Sequence, residues 1–406
     1  MKILLYITGS ISCYKSIDLT RQLINEGHEV SVILSPGAEK FLKKDLFLYL
    51  GAKSTYLSED DFSNPSNEIR HIELARWCDY FVICPASANT ISHLANGLTK
   101  DLGTTVFLAL ESKKVKLIFP AMNTHMLENK IISENLSKLS EIKNTYILPT
   151  QQGILACGEI GAGKLLEIEI IQTLITTWPE SITNSKNILI STGASISPLD
   201  DVRYLTNPAS GKTGLNIAKK FLKEGHTVNL ITGIYSKELF HGISYHPNFH
   251  LLIARTTEDY LRLTQENIND SSLFISAAAI CDISFDYKNG KLKKDKLSSS
   301  LEISQAPDVL KEMMKTKRED QYFIGFAAEA DLSLEMLQKK WESKKVDLLI
   351  GTAVNSGASA NSEIKGFREN EADYKIFENQ QITFSGHLNK IQLSDIIFEK
   401  AQKWLK

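Results

Sequence analysis

Two stretches of the sequence share the same order of elements, and this repeat constrains the fold more than any other feature. Residues 2–35 indicate an apolar strand, a helical stretch to Glu26 and, after Gly27, the strand "EVSVILS". Residues 186–233 indicate the strand "KNILISTGAS", an insertion, the helix "GLNIAKKFLKEG" and the strand "TVNLITG". The strands are continuous apolar runs, which is typical of parallel strands buried on both faces. We therefore predict an α/β protein with two doubly wound domains, Rossmann-like or flavodoxin-like, whose sheets are mainly parallel.

The length of the chain and one polar stretch set the domain boundary. The chain has 406 residues, which suits two domains of about 200 residues better than a single core. The segment "TTWPESITNSK", at 176–186, interrupts the apolar pattern with Pro179 and a run of polar residues. We therefore predict domains at 1–180 and 186–406.

Further apolar runs complete the two predicted sheets. In the first domain the additional strands are predicted near 80–84, 115–119 and 145–148. In the second domain strands are predicted near 251–253, 272–277, 322–325 and 346–350, and helices near 257–267, 307–316, 333–345 and 389–404. The alternating stretch "YKIFENQQITFSG" predicts a hairpin at the sheet edge.

Charge and hydropathy exclude several classes of protein. The net charge is −2, so no strongly basic surface predicts a nucleic-acid or membrane partner. No apolar run approaches the roughly 20 residues that span a bilayer. The N-terminal "MKILLYITGSISCYK" is apolar over a short run only, and we interpret it as a buried strand, not a signal peptide. These features predict a cytoplasmic protein.

The cysteines point to the same compartment. Their number is odd, no two are spaced as C-x-x-C, and they are Cys13, Cys78, Cys84, Cys157 and Cys281. This pattern favours a reducing environment and argues against a disulfide framework or a structural zinc site.

Two glycine-rich stretches resemble a phosphate-binding P-loop, but each breaks the pattern. In "ACGEIGAGKL", at 156–165, the position that needs Ser or Thr for Mg²⁺ is Leu165. In "NPASGKTG", Thr206 occupies the position of the first glycine. We therefore predict that the first stretch binds no triphosphate and is a flap that carries Cys157 over a substrate.

Small polar residues follow three strands of the first domain. They lie in "TGSIS" after the first strand, in "CPASANT" and in "PAMNTHM". Because ligands of parallel sheets bind at the carboxyl ends of the strands, we expect these three loops to meet in one crevice. The G-x-G-x-x-G fingerprint is absent, yet hydroxyls and N–H groups at a helix start can bind one phosphate. An ordinary capped turn is the alternative.

An ordered set of motifs carries a resemblance to known enzymes. "TGSISCYK", "HIELARW", "PASANT", "PAMN" and "GILACGEIG" together resemble the FMN-dependent phosphopantothenoylcysteine decarboxylases. "DDVRYLTNPASGKTG", "AAAICD", "KLKK", "PDVL" and "GFAAE" resemble phosphopantothenate–cysteine ligase. Over nearly the whole length the chain is similar to the bacterial bifunctional fusion of coenzyme A synthesis. The resemblance implies FMN as cofactor, CTP as co-substrate and Mg²⁺.

The decarboxylase resemblance assigns roles in the first domain. It implies that the flavin oxidises the substrate thiol, which provides an electron sink for the loss of CO₂. Cys157 matches the proton donor, His71 an active-site histidine, and Asn123 the residue that holds the substrate carboxylate. A buried apolar cysteine, a structural histidine and a turn-forming asparagine are the alternatives that these residues leave open on their own. The implied FMN contacts are Gly9, Ser10, Ile11, Ser35, Ser87 and Asn89.

The ligase resemblance assigns roles in the second domain. Asn207 matches a residue that acts on the acyl-cytidylate intermediate, and Lys291 matches a catalytic lysine that binds the triphosphate. The alternatives are an Asn-Pro turn and a solvated lysine-rich loop. Asp282 is also the candidate Mg²⁺ ligand, because Mg²⁺ prefers oxygen ligands. The implied CTP contacts are Ser276, Ala277, Ala278, Asp282, Lys291, Pro307, Asp308, Val309, Leu310, Phe326, Lys340 and Lys344.

The chain departs from the family pattern at a few positions. Leu127 stands where the decarboxylases commonly have a tryptophan. In the ligase half, Thr213 replaces a methionine, Ala306 replaces an asparagine before "PD", and Gly351–Ala353 replaces "AND".

The resemblance also implies partners and rival functions. The substrates are the small molecules 4′-phosphopantothenate, cysteine and CTP. The decarboxylases form trimers with FMN bound between subunits, and the ligases form dimers, so we expect a homo-oligomer. The rivals are an NAD(P)-dependent oxidoreductase, which the missing glycine fingerprint disfavours, and a non-catalytic flavoprotein regulator on the same fold.

Overall fold

The protein folds into two compact units. The computed structural model describes residues 1–61, 69–155, 158–181, 184–293, 300–354 and 369–405. The chain divides into Met1–Thr176 and Thr177–Lys406. Each unit is built on a sheet of its own.

The sheet of the first unit is parallel throughout. Its strands are β1 (Lys2–Ile7), β2 (Glu29–Leu34), β3 (Ser54–Tyr56), β4 (Tyr80–Ala86), β5 (Val115–Pro120) and β6 (Thr145–Ile147). They pair in the order β3-β2-β1-β4-β5-β6. This order reverses direction between β1 and β4, the point at which doubly wound sheets bind ligands. The predicted fold class is confirmed for this unit.

Helices cover the two faces of the first sheet. They are α1 (Ser16–Asn25), α2 (Lys44–Tyr49), α3 (Arg70–Trp77), α4 (Ala88–Ala95), α5 (Leu102–Ala109), α6 (Thr124–Glu128), α7 (Lys130–Ser140) and α8 (Ile168–Thr177). Short 3₁₀ helices span Ile11–Lys15 and Ser58–Asp61. A capping box at Asp101 begins α5, because its carboxylate accepts a hydrogen bond from the Thr104 N–H.

The predicted glycine-rich flap, at 156–165, contains the second strand of a hairpin. Strands β7 (Gln151–Ile154) and β8 (Ile160–Lys164) pair antiparallel, and Cys157 between them lies outside the described residues. Gly163 has φ of +107°, and a Cβ there would lie 2.2 Å from the Met122 carbonyl oxygen. The glycine therefore permits a close backbone approach to the segment after β5, in addition to any flexibility it gives the loop.

The second unit has twelve strands within the described residues. They are β9 (Asn187–Thr192), β10 (Ile196–Pro198), β11 (Tyr204–Thr206), β12 (Thr227–Gly233), β13 (Phe249–Ala254), β14 (Leu273–Ser276), β15 (Ile283–Phe285), β16 (Ile303–Gln305), β17 (Tyr322–Glu329), β18 (Leu348–Ala353), β19 (Glu371–Glu378) and β20 (Gln381–Asn389). The main sheet runs β13-β12-β9-β14-β17-β18-β19-β20, and β10-β11 and β15-β16 form small separate sheets.

The main sheet of the second unit repeats the order of the first and extends it. Strands β13, β12, β9, β14, β17 and β18 are parallel, and β19 and β20 add an antiparallel pair at one edge. The predicted edge hairpin is therefore confirmed. Its turn residues Asn379 and Gln380 both have positive φ, as a tight hairpin turn requires.

The helices of the second unit are close to those predicted. They are α9 (Lys212–Lys223), α10 (Thr257–Ile268), α11 (Val309–Met314), α12 (Leu334–Lys344) and α13 (Lys390–Ala401). Additional 3₁₀ helices span Lys237–Ile243 and Gln402–Trp404. The last helix was predicted to continue to 404, and this part of the chain is the second of these 3₁₀ helices.

Alternate residues of the central strands enter cores on opposite faces of the sheet. Ile188 and Ile190 of β9 join one buried cluster, whereas Leu189 joins another. Full burial of each such side chain stabilises the fold by about 1.5–3 kcal/mol. This two-sided burial explains why the strands appear as unbroken apolar runs in the sequence.

Among the helices of the described residues, none has the length and apolar composition needed to cross a bilayer.

Candidate active sites

A cavity of about 660 Å³ lies at the carboxyl ends of β1, β4 and β5 in the first unit. The three loops that the sequence predicted to meet there all contribute to it. The hairpin of β7 and β8 contributes another part of the lining. The lining residues are Gly9, Ser10, Ile11, Ser12, Tyr14, Lys15, Ser87, Ala88, Asn89, Ala121, Met122, Asn123, Met126, Ile154, Leu155, Gly163, Lys164 and Leu165.

Hydrogen bonds between the loops fix their relative positions. The Thr8 hydroxyl donates to the Pro85 carbonyl at 2.7 Å and accepts from the Ser87 N–H at 2.8 Å. Ser87 is also the N-cap of α4, because its hydroxyl accepts from the Thr90 N–H at 3.3 Å. The loop after β1 is thereby tied to the loop after β4.

Asn123 lies in this cavity at the start of α6. Its side-chain oxygen accepts from the His125 N–H at 2.9 Å, which makes Asn123 the helix N-cap. Its amide nitrogen points the other way and donates to the Glu159 carboxylate at 3.2 Å. The capping bond therefore orients the amide nitrogen, so it can donate to a carboxylate.

Most of the predicted flavin contacts line the cavity, and Ser35 does not. The predicted flavin contacts that line it are Gly9, Ser10, Ile11, Ser87 and Asn89. Ser35 is buried after β2, and its hydroxyl accepts from the Ala38 N–H at 3.2 Å. That hydroxyl stabilises the turn after β2.

His71 also lies outside the cavity lining, and it has a partner that the sequence did not reveal. Its Nδ1 lies 2.8 Å and 3.0 Å from the two carboxylate oxygens of Asp61, and its backbone N–H donates to the same carboxylate at 3.1 Å. Asp61 is a buried residue. A carboxylate so placed fixes both the orientation and the tautomer of the imidazole.

A second cavity, of about 390 Å³, lies at the carboxyl ends of the parallel strands of the second unit. It is bordered by the loop before α9 and by residues of α11 and α12. The lining residues are Thr192, Gly193, Asn207, Ala209, Ser210, Gly211, Thr213, Ser276, Ala277, Ala278, Ala279, Ile280, Asp282, Pro307, Asp308, Val309, Leu310, Phe326, Ala327, Ala328, Glu329, Lys340, Lys344, Leu349, Thr352, Val354 and Tyr374.

All of the predicted nucleotide contacts except Lys291 line this cavity. Its lysines are paired with carboxylates: Lys340 lies 2.8 Å from Glu329, and Lys344 forms an ion pair with Asp308. Burial raises the pKa of the Asp308 carboxyl, but the hydrogen bonds from Lys344 and from the Lys311 N–H, together with the charges of both lysines, lower the pKa below its usual value. These ion pairs leave the carboxylates neutralised and keep both ammonium groups at the cavity wall.

Asn207 is held by two backbone carbonyl groups. Its amide nitrogen donates to the carbonyl oxygens of Ala279 and Ile280 at 3.1 and 3.3 Å. This contact joins the segment before α9 to the loop after β14. The amide nitrogen therefore donates its hydrogen bonds to the protein backbone.

Lys291 lies on an exposed loop whose neighbouring peptide groups are anchored. The Gly290 N–H donates to the Asp201 carboxylate at 2.9 Å, and the Leu292 N–H donates to the Asp200 carboxylate at 3.1 Å. Two consecutive aspartates thus hold the backbone on both sides of Lys291. Sequence analysis did not identify either contact, since about 90 residues separate the partners.

The described residues contain no group of three or more His, Cys, Asp or Glu side chains arranged to hold a metal ion. Asp282 lines the second cavity, and its carboxylate makes no hydrogen bond or ion pair with the described part of the chain. One carboxylate fits a Mg²⁺ ion that takes its other ligands from phosphate groups and water.

Comparison with known proteins identifies the family. The first unit matches the family model Flavoprotein over residues 1–179, and the second matches the DNA/pantothenate metabolism flavoprotein C-terminal domain over 183–405. The coenzyme A biosynthesis bifunctional protein CoaBC of Bacillus subtilis is 32% identical over 365 residues, which are 88% of this chain and 87% of the relative. The protein of the same name from Vibrio vulnificus is 32% identical over 368 residues, 89% of each chain.

One similar solved structure is a PPC decarboxylase mutant complexed with pantothenoylaminoethenethiol. It is 31% identical and covers 43% of this chain and 95% of its own, with a TM-score of 0.39. The sequence relatives and the family models confirm the resemblance carried by the motifs, and they do not favour an NAD(P)-dependent oxidoreductase. The chain belongs to the family of bifunctional coenzyme A biosynthesis proteins, in which a flavoprotein decarboxylase domain is joined to a ligase domain.

Proposed function

We propose that the second unit joins 4′-phosphopantothenate to cysteine with CTP, through an acyl-cytidylate. The first unit then decarboxylates the product, phosphopantothenoylcysteine, to 4′-phosphopantetheine with FMN. One observation carries this proposal: in each unit, residues that the motifs assign to one activity gather around one cavity at the carboxyl ends of the strands.

The first cavity suits FMN in both size and chemistry. Ile11, Met126 and Ile154 supply apolar surface for a ring system, and the Ser10 and Ser12 hydroxyls lie 3.1 Å apart at the start of the 3₁₀ helix. Such neutral donors can bind a phosphate group. When bound, FMN supplies the oxidation of the substrate thiol that makes loss of CO₂ possible.

The protein groups then have separate tasks in decarboxylation. The Asn123 amide nitrogen donates to the substrate carboxylate, at the position where Glu159 accepts now. Cys157, which lies outside the described residues, donates the proton that completes the saturated product. Closure of the hairpin of β7 and β8 excludes water from the reacting atoms.

His71 is proposed to act on the cavity of a second copy of the chain. It does not line the cavity of its own unit, while Ile11, Tyr14 and Ile154 at that cavity are 58%, 57% and 71% exposed. Exposed apolar side chains beside a ligand cavity are typical of a surface that another subunit covers. We propose a homo-oligomer, with trimeric contacts between decarboxylase units and dimeric contacts between ligase units.

The lysines of the second cavity are proposed to bind the triphosphate of CTP. Lys340 and Lys344 lie on one face of α12, four residues apart, and each can exchange its present carboxylate partner for a phosphate oxygen. Lys291 neutralises the charge that develops as pyrophosphate leaves. Asp282, with one Mg²⁺, holds the phosphates, and Asn207 acts on the acyl-cytidylate.

The full chain, purified with its bound chromophore, provides the test. We expect a flavin spectrum, pyrophosphate release that requires CTP and 4′-phosphopantothenate, and CO₂ release from phosphopantothenoylcysteine. Cys157→Ser should still release CO₂ but should fail to form 4′-phosphopantetheine. A colourless protein without CO₂ release would contradict the decarboxylase, and a strict preference for ATP would contradict the proposed nucleotide.

A further inference from the structure

Three charged side chains form a linked cluster beside the first cavity. Lys15 ends the first 3₁₀ helix, Lys164 ends β8, and Glu167 lies between β8 and α8. One oxygen of the Glu167 carboxylate lies 3.0 Å from the Lys15 ammonium, and the other lies 2.7 Å from the Lys164 ammonium. We call these residues the Lys15–Glu167–Lys164 cluster.

The cluster presents excess positive charge to the cavity. Within the described part of the chain, Lys15 and Lys164 are the only charged residues that line the cavity, and Glu167 does not line it. The hydrogen bond from Lys164 lowers the pKa of the Glu167 carboxyl, so this group stays ionised and the cluster carries one net positive charge. Partial burial of an uncompensated positive charge raises the free energy of the folded state unless an anion binds beside it.

We propose that the Lys15–Glu167–Lys164 cluster binds the phosphomonoester group of the decarboxylase substrate. This inference rests on the proposed function of the first unit. It assigns to the cluster a subsite for a dianion, with Glu167 as the residue that positions the two ammonium groups.

The carboxylate of the substrate is the less suitable partner for the cluster. Two ammonium groups beside it would stabilise the charged ground state relative to neutral CO₂, and so they would slow decarboxylation. The neutral Asn123 amide can orient a carboxylate without that penalty. A phosphomonoester carries a charge of about −2 near neutral pH and keeps it throughout the reaction, so strong pairing at this group has no such cost.

The sheet order separates the Lys15 end of the cluster from Asn123, whereas Lys164 ends β8, which packs against the segment after β5. Lys15 follows β1 and Asn123 follows β5, and β4 lies between these strands. Two strand spacings correspond to about 10 Å across the sheet. The cavity can therefore hold an extended molecule with its carboxylate near Asn123 and its phosphate at the Lys15 end of the cluster, while the serines after β1 remain for the flavin phosphate.

A comparison of two substrates tests the assignment. CO₂ release is measured with phosphopantothenoylcysteine and with its dephosphorylated form, pantothenoylcysteine, on the FMN-loaded full chain. Lys15→Gln and Lys164→Gln should each raise KM for the phosphorylated substrate about tenfold, since each removes a charge-assisted hydrogen bond. KM for the dephosphorylated substrate should change by less than about twofold.

Matched variants separate a lost charge from a damaged fold. Lys15→Arg should keep the preference for the phosphorylated substrate, and Lys113→Gln, an exposed lysine away from the cavity, should change nothing. CTP-dependent ligation by the second unit should be unaffected in all four variants. This activity reports that the chain is intact.

Three results would overturn the assignment. An equal rise in KM for both substrates would mean that the lysines contact a group other than the phosphate. Loss of flavin from the Lys15 and Lys164 variants would mean that these lysines bind the cofactor phosphate. An unchanged preference for the phosphorylated substrate would mean that the lysines do not bind the substrate. A wild-type protein that releases no CO₂ from either substrate would instead contradict the proposed decarboxylase function.

Discussion

The side-chain amide nitrogen of Asn123 donates a hydrogen bond to the Glu159 carboxylate at 3.2 Å. Asn123 begins α6, and Glu159 immediately precedes β8 in the hairpin that borders the first cavity. The proposed substrate carboxylate needs this same amide nitrogen. Glu159 and the substrate are therefore expected to compete for one donor.

Glu159→Ala tests this competition. We expect KM for phosphopantothenoylcysteine to fall about fivefold, because one hydrogen bond of roughly 1 kcal/mol no longer has to be broken. Steady-state CO₂ release measures the change, with Glu128→Ala, at the exposed last residue of α6, as the control. A higher KM in Glu159→Ala would mean that Glu159 helps to bind the substrate.

The contact between His71 and Asp61 leads to a second prediction. Asp61→Asn removes the charge that fixes the imidazole tautomer, and we expect kcat for decarboxylation to fall about tenfold with little change in KM. Asp61→Glu should recover part of the rate, since it restores a carboxylate. Flavin content should remain that of the wild type. Full activity in Asp61→Asn would show that this carboxylate does not position His71.

Much of the fold and of the two cavities could be predicted, because local patterns determine them. Apolar runs mark the buried strands, and small polar residues at strand ends mark the loops that line each cavity. The residues that form hydrogen bonds with the predicted site residues have no comparable pattern in the sequence. Asp61 and His71, like Asn123 and Glu159, meet through tertiary packing, and no periodicity connects them in the sequence.

The hairpin of β7 and β8 could not be predicted from the sequence, for a different reason. Its strands are short, contain several glycines and leave Ile154 and Ile160 largely exposed, so they lack the alternation and burial that predict a strand. The glycine spacing instead resembled a P-loop. Close contact with the segment after β5 accounts for Gly161 and Gly163, and that contact is visible only in three dimensions.

Gly161 provides a third prediction, because it packs directly against Thr124. A Cβ at this position would lie 2.2 Å from the Thr124 hydroxyl oxygen, which donates to the Ala162 carbonyl at 2.5 Å. Gly161→Val should displace β8 from the segment that carries Asn123 and slow CO₂ release about tenfold or more. FMN should stay bound, as the visible spectrum would report. Ile160→Val, at an exposed position, is the control, and a wild-type rate in Gly161→Val would contradict the docking of β8.

Acid stability of the second unit leads to a fourth prediction. Burial lowers the pKa of His246 to about 4, and its Nδ1 accepts from the Asn248 N–H at 3.2 Å. The folded state thus binds fewer protons than the unfolded state between pH 6.5 and 4. In this window the free energy of unfolding should fall by roughly 1.4 kcal/mol per pH unit as pH decreases.

Thermal unfolding between pH 7.5 and 5 measures this dependence. His246→Gln should flatten the pH dependence of Tm even if it lowers Tm at neutral pH, because glutamine has no proton to gain in this range. His250→Gln, at an exposed histidine, should leave the slope unchanged. An undiminished slope in His246→Gln would assign the acid sensitivity to other groups.

The ligase cavity leads to the last prediction, which separates its two half-reactions. Asn207→Asp places a carboxylate against the carbonyl oxygens that its amide now satisfies, so the site should form acyl-cytidylate and pyrophosphate but transfer poorly to cysteine. Lys291→Gln should fail earlier, with little pyrophosphate formed. Asp201→Ala should resemble Lys291→Gln in a milder form, because it frees the Gly290 N–H that anchors the loop. Pyrophosphate release and product formation are measured separately on the full chain, with CO₂ release from supplied phosphopantothenoylcysteine as the internal control. If Asn207→Asp and Lys291→Gln stop at the same step, the proposed division of roles is wrong.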